Sequence, residues 1–121
     1  MIGKAYKSLL PYYDRQTQTN RFKSRPCLVI GKADEGDYVI LPISSVNDKR
    51  RVNPEYDIEL DNSVYSFLNK TSYVRTHKQT TLNKNMIKDV LCDFKNDYED
   101  KYLEIMLKVE KFQTDMIEKA L

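Results

Sequence analysis

The sequence predicts a mainly β fold finished by one C-terminal α-helix. Two observations carry this. The first two thirds of the chain break into short runs rich in Val, Ile, Thr and Tyr, divided by turn-forming residues. The last third changes period. Tyr102, Ile105, Val109, Phe112, Met116 and Ala120 recur at spacings of three and four, which puts them on one helical face. Five or more short strands, mostly antiparallel, then close a small barrel or strongly curved sheet, and the helix packs against it.

Taken in order, Ala5 to Leu10 reads as a short first strand. Tyr12 to Ser24 is polar, with Asp14, Thr17, Thr19 and Asn20, and reads as a long loop of the kind that often carries function. Cys27 to Gly31 and Tyr38 to Ile43 are continuous apolar runs that fit buried strands. Ala33 to Asp37 joins them with hairpin-turn residues. Asn47 to Pro54 is a charged loop. Tyr56 to Leu60 alternates as a half-exposed strand does, and Ser72 to Leu82 is a Thr-rich β stretch. Lys84 to Phe94 fits either a short helical turn or a strand. Asn96 followed by Glu99 matches a capping box, which starts the helix at about Asp97 and carries it to about Leu121. Glu104–Lys108 and Asp115–Lys119 are i,i+4 pairs on its polar face.

Length and composition bound the rest. The 121 residues suit one domain, 1–121. With 3 Gly and 4 Pro the chain is neither collagen-like nor a flexible low-complexity chain. No apolar run approaches the roughly 18 residues needed to span a bilayer, so no membrane association is expected. Met1 to Tyr13 offers no apolar signal core, which makes the cytoplasm the expected compartment. Cys27 and Cys92 are too few for a disulfide scaffold and read as reduced, buried thiols. With a single His beside them, no zinc site is expected, and no cofactor motif is present. The net charge of +2 is unevenly spread. Arg15 to Lys32 holds five basic residues and no acid, and Lys70 to Lys88 holds five more with His77 and again no acid. Two such segments can present one positive face.

Three short segments could hold chemistry. In Tyr73-Val74-Arg75-Thr76-His77, a strand with Val74 inward turns Tyr73, Arg75 and His77 outward together. A guanidinium can bind two phosphate oxygens, and an imidazole can move a proton near neutral pH. The same pattern also fits an ordinary solvated face with an incidental histidine. In Lys23-Ser24-Arg25-Pro26, the residue before proline is held extended, which fixes Arg25 at a strand mouth or simply at a loop end. In Pro42-Ile43-Ser44-Ser45, two hydroxyls leave a buried strand. They can meet a phosphate or merely form the turn. Neither serine sits in a Gly-x-Ser-x-Gly elbow, which argues against a hydrolase nucleophile. Tyr12, Tyr13 and Phe22 flank the basic loop, where they can stack nucleobases or anchor the loop.

Together these segments resemble the PemK/MazF family of toxin endoribonucleases. Arg25-Pro26-Cys27-Leu28-Val29-Ile30 resembles its Arg-Pro-x-x-Val-Ile strand, and Ile40-Leu41-Pro42-Ile43-Ser44-Ser45 its apolar strand ending in Ile-Thr-Ser. Val74-Arg75-Thr76-His77 resembles Val-Arg-x-Asp of the PemK/Kid-type members, and Thr81-Leu82-Asn83-Lys84 resembles Thr-Ile-Asp-Lys. The match covers roughly Gly3 to Lys84. The resemblance implies an SH3-like curved barrel of the PemK/MazF/CcdB type and a homodimer. It also implies metal-independent cleavage of single-stranded RNA to 2′,3′-cyclic phosphate and 5′-hydroxyl ends. Residue by residue, it implies that Arg25 contacts the scissile phosphate, that Ser44 replaces a catalytic-site Thr, and that Arg75 is acid or phosphate stabiliser. His77 stands where that branch has Asp, and Thr80 where the family has a later Arg. Lys23, Ser45, Tyr73, Lys78 and Thr80 are the neighbours expected to touch RNA.

The implied partner is a cognate antitoxin. It is a small protein with a disordered acidic tail, or an RNA as for some toxins of this fold. Two other classes share the fold: a CcdB-like toxin that binds DNA gyrase and cuts nothing, and a plain RNA-binding module. Retention of Arg25, Ser44 and Arg75 points away from both.

Overall fold

The computed structural model describes all 121 residues. β1 (Ala5–Asp14) and β2 (Thr19–Asp34) form a long antiparallel hairpin. β3 (Asp37–Ser44) returns along β2 after a tight turn in which Gly36 takes φ 74°, the left-handed conformation that glycine adopts without steric cost. β4 (Asp57–Leu60) pairs with β5 (Ser72–Arg75), and β5 pairs with the end of β3. β6 (Thr80–Asn83) pairs with the start of β3, and β7 (Ile87–Cys92) closes on β1. A short α1 (Phe94–Asp97) leads into α2 (Glu99–Ala120). The strand order is β4-β5-β3-β2-β1-β7, with β6 also on β3.

The sheet curls because β3 divides one edge between two partners. Asp37 to Ile40 face β6, while Ile43 and Ser44 face β5. Register shifts between Val29 and Gly31, and again between Lys32 and Asp34, add local bends in β2. The outcome is the mainly β, curled half-barrel with a C-terminal helix that the sequence predicts.

The continuous apolar runs of β2 and β3 follow from burial on both faces. Leu28, Leu41 and Ile43 join Ile58, Leu60, Val74, Phe94, Ile105 and Val109 in the larger core under the helix. Cys27, Val29 and Ile40 face the other way, with Leu82 and Ile87, in a smaller core. Cys27 is buried and Cys92 half-buried, both as free thiols. Burial, with Asp97 nearby, pushes Cys92 up to about 11, so it stays protonated at neutral pH.

Several elements differ from the sequence reading. Tyr12 to Ser24 is not a loop: both strands run on to the pair Asp14↔Thr19, and only Arg15 to Gln18 turn. Asp14 Oδ1 accepts the Gln16 N–H at 2.9 Å, and Gln18 takes φ 55°. An arm solvated on both faces needs no apolar alternation, so its polar sequence masks its strands. Ser72 to Leu82 is two strands, split at the turn closed by Lys78 N–H to Arg75 O, 3.1 Å. Lys84 to Phe94 resolves into a 3-10 turn, Lys84–Met86, followed by β7.

The Asn96/Glu99 capping box does not form. Asn96 lies inside α1 and its amide donates to Asp93 Oδ2 at 2.7 Å. The N-cap of α2 is Tyr98, without a side-chain cap bond. Its ring is taken by an aromatic cluster, with centroids 4.7 Å from Tyr65 and 5.2 Å from Phe94. Tertiary packing outweighs the local cap. The ion pairs on α2 are Lys101–Glu104 and Lys111–Asp115, rather than Glu104–Lys108 and Asp115–Lys119. The apolar stripe is buried at Ile105 and Val109, but Met116 is 50% exposed. The helix outruns the sheet that covers it.

This packing predicts unequal costs along one stripe. Ile105→Ala lowers stability by about 2–5 kcal/mol in urea denaturation. Met116→Ala stays within about 0.5 kcal/mol of wild type.

Candidate functional site

Strand alternation sorts the side chains. Leu41, Ile43, Val74, Ile58 and Leu60 turn into the larger core. Ser44, Tyr73, Arg75 and Asp57, at the intervening positions, therefore share the opposite face of the sheet. Ser44 is paired across the strands with Tyr73, and Asp57 with Arg75. Arg25, on β2 beyond Ser44, reaches the same face, and its Nη1 donates to Ser44 Oγ at 3.3 Å.

Arg25 and Ser44 sit in a cavity of about 460 Å³. Its charged lining is Lys7, Lys23, Arg25 and Lys70, with no carboxylate. Ser24, Ser44, Ser45, Asn69 and Ser72 add polar groups. Arg25 makes no ion pair. Four cations around one open cavity repel one another, and a bound anion relieves that repulsion. The Arg25 backbone is held in turn: its carbonyl accepts the buried Ser8 hydroxyl at 2.9 Å, and Pro26 follows it in the strand.

A second cluster surrounds Asp57. Its side chain is fully buried, while that of Arg75 is 15% exposed. Arg75 Nε donates to Asp57 Oδ1 at 2.9 Å, and Arg75 Nη2 donates to the Arg51 carbonyl at 3.4 Å. Asp57 Oδ2 accepts the Asn53 N–H at 2.8 Å. Asn53 secures the turn by accepting the Glu55 and Tyr56 N–H groups on its own side chain, at 2.9 and 3.1 Å. His77 Nδ1 is buried, lies 3.6 Å from Asp57 Oδ1 and has no hydrogen-bond partner. The imidazole is stacked on Tyr56, with centroids 5.8 Å apart, and meets the edge of Phe112 at 6.4 Å. Burial pushes His77 below its ordinary value of 6.5, Asp57 pulls it up, and Arg75 and Lys78 push it further down. His77 is therefore neutral at pH 7, the form that can accept a proton.

The four residues singled out for catalysis thus fall into two pairs. Arg25 and Ser44 share the cationic cavity, which Lys23 and Ser45 also line. Arg75 and His77 do not line it and converge on Asp57 instead. The pairs are neighbours: Arg75 stands two residues beyond Tyr73, diagonal to Ser44, a step of roughly 7–8 Å between backbones. Tyr73 lies between them. Lys78 is exposed beside His77. Thr80 is not with the cavity. It pairs with Ile40, four residues up β3 from Ser44, and its hydroxyl donates to Lys78 O at 3.1 Å. In the sequence Lys70 stands out only as part of a basic segment, and Lys7 and Asp57 do not stand out as site residues. Asp57 was visible only as one acid in an alternating strand, because its partners arrive through the β4–β5 register.

The architecture is a curled antiparallel half-barrel with a C-terminal helix, carrying a cation-lined cavity at its strand ends. The family comparison specifies it further. Residues 9–108 match the model of the PemK-like, MazF-like toxins of type II toxin-antitoxin systems, and the chain belongs to this family. The fold is similar to that of an endoribonuclease from a mycobacterial species, solved in complex with its cognate antitoxin. That likeness has a TM-score of 0.64 and 18% identity over 94% of each chain. No curated protein sequence matches this one.

Two outcomes follow from the Asp57 cluster. Arg75→Ala leaves a buried carboxylate without its cation and costs about 3–5 kcal/mol in urea denaturation. Adding Asp57→Asn recovers part of that loss. His77 has a lower pKa folded than unfolded, so the unfolded chain binds its proton more tightly. Stability from this site is complete above pH 6.5 and falls as pH drops from there toward the folded value. His77→Gln removes that component from the pH dependence of the urea midpoint.

Proposed function

We propose that this chain is an endoribonuclease toxin that cleaves single-stranded RNA by attack of a 2′-hydroxyl on the adjacent phosphate. What carries the proposal is the acid-free cavity at Arg25 and Ser44, one diagonal step from Arg75, which shares Asp57 with the neutral His77. The reaction needs a base for the 2′-hydroxyl and fixed cations for the crowded phosphorane. Arg25, with Ser44, holds the scissile phosphate. His77 takes the 2′-hydroxyl proton, and Arg75 faces the developing charge. The 2′-oxygen bonds to phosphorus, the bond to the 5′-oxygen breaks, and that oxygen takes a proton from water. The products are a 2′,3′-cyclic phosphate and a 5′-hydroxyl. Lys23 on β2, Ser45 after β3, Tyr73 on β5 and Lys78 in the turn that follows extend the contact surface, with Thr80 at the start of β6 beyond them. Tyr13 and Phe22, 58% and 61% exposed on the hairpin arm, offer rings on which bases stack.

The partner we propose is a cognate antitoxin with an acidic tail, whose charge complements the cavity. The proposed setting is the cytoplasm and the proposed form a homodimer. Leu103, Leu107 and Ile117 are exposed along α2 and provide an apolar surface for a protein contact. The same surface favours a second reading, a CcdB-like toxin that binds a protein target through its helix and cuts nothing.

Incubation with mixed-sequence single-stranded RNA in excess EDTA separates the two. Wild type is expected to leave cyclic-phosphate and 5′-hydroxyl ends. Arg25→Ala slows cleavage by about 10²-fold or more. It changes stability by no more than about 0.5 kcal/mol, since Arg25 has no carboxylate partner. Intact RNA with wild type transfers the assignment to the non-catalytic toxin.

A further inference from the structure

We infer that Asp57 is the positioning residue of this site: its buried carboxylate holds the His77 ring with the proton on Nδ1, leaving Nε2 bare toward solvent, and fixes the Arg75 guanidinium through Nε, leaving Nη1 free. The inference deepens the ribonuclease reading and rests on it for its catalytic consequence. It makes Asp57 an anchor for two outward groups, with no contact to substrate of its own.

Geometry leaves little choice of tautomer. His77 Nδ1 is shut off from solvent and has no hydrogen-bond partner, and the carboxylate oxygen facing it is Asp57 Oδ1, at 3.6 Å. A bare Nδ1 sets its lone pair against the carboxylate, whereas a protonated Nδ1 points a donor at it. The ring is not free to swing away. Tyr56 stacks on one side and Phe112 of α2 meets it from another. Tyr56 is itself tied down, since its hydroxyl donates to Asp115 at 2.6 Å and its carbonyl accepts the buried Thr76 hydroxyl at 2.6 Å. Nε2 is not among the buried, unpartnered atoms, so it keeps access to solvent.

Arg75 is held in the same way. Its Nε is committed to Asp57 and its Nη2 reaches only a long bond to Arg51, which leaves Nη1 for a phosphate oxygen. The charged groups facing His77 are Asp57 from β4, Arg75 from β5 and Lys78 from the turn. From α2, Lys111 and Asp115 are bonded to each other, with Asp115 also holding Tyr56. When Nε2 takes the 2′-hydroxyl proton, the imidazolium keeps Nδ1–H toward Asp57, which stays ionised and receives no proton.

His77 is the only histidine in the chain, so ¹⁵N-histidine labelling of the full-length protein yields one pair of ring signals. At neutral pH wild type is expected to show Nδ1 protonated and Nε2 bare, the reverse of the preference of free imidazole side chains. In Asp57→Asn the balance shifts toward Nε2–H, the titration midpoint moves further down, and kcat for RNA cleavage falls by roughly 10²-fold or more with a smaller change in KM. A wild-type ring protonated on Nε2 overturns the inference, and this is read without any variant should Asp57→Asn fail to fold. A folded Asp57→Asn with an unchanged tautomer, or with unchanged cleavage beside an active wild type, also overturns it. If wild type shows the Nδ1–H tautomer and cuts no RNA, the ribonuclease reading fails while the hold of Asp57 on His77 is supported.

Discussion

β3 has two edges and three partners, and the architecture follows from that constraint. One edge belongs to β2. The other is divided, Asp37 to Ile40 against β6 and Ile43 to Ser44 against β5. A flat sheet cannot satisfy both halves of that edge, so the sheet curls and both of its faces gain a core. Ser44 marks the place where β3 ends and the cationic cavity opens. The same division sets β5, and with it Tyr73 and Arg75, beside Ser44 rather than across the molecule.

The molecule handles its positive charges in two contrasting ways. Arg75 is matched to a buried carboxylate, whose other oxygen is satisfied by a backbone N–H. Burying Asp57 is costly by itself and becomes tolerable only with both partners in place. Arg25, Lys7, Lys23 and Lys70 are left unmatched around open space. None of the four has a carboxylate partner, and their mutual repulsion is relieved by an anion. One cluster is charge-matched and the other is not. The two clusters adjoin through β5, where Arg75 stands diagonal to Ser44.

Where sequence and structure part, a nonlocal contact is responsible. Asn96 and Glu99 carry a sound capping pattern, yet the helix starts where Tyr98 is drawn between Tyr65 and Phe94. Met116 keeps the helical period of Ile105 and Val109, but the sheet beneath it has ended. The arm from Tyr12 to Ser24 has the composition of a loop because neither of its faces is buried, and pairing alone makes it a hairpin.

Local patterning was enough to mark the apolar runs of β2 and β3 and the period of α2, and short motifs resembling those of a family singled out Arg25, Ser44, Arg75 and His77 as candidates. Each of those signals depends on residues a few positions apart, and such patterns survive without knowledge of the fold. Only tertiary structure could decide which of the four stand together, since that depends on strand register. It set Arg25 on Ser44, gave Arg75 and His77 to Asp57, gathered Lys7 and Lys70 into the cavity, and left Thr80 apart. Pairing between distant strands is a property of the closed sheet, and no segment of the chain encodes it alone.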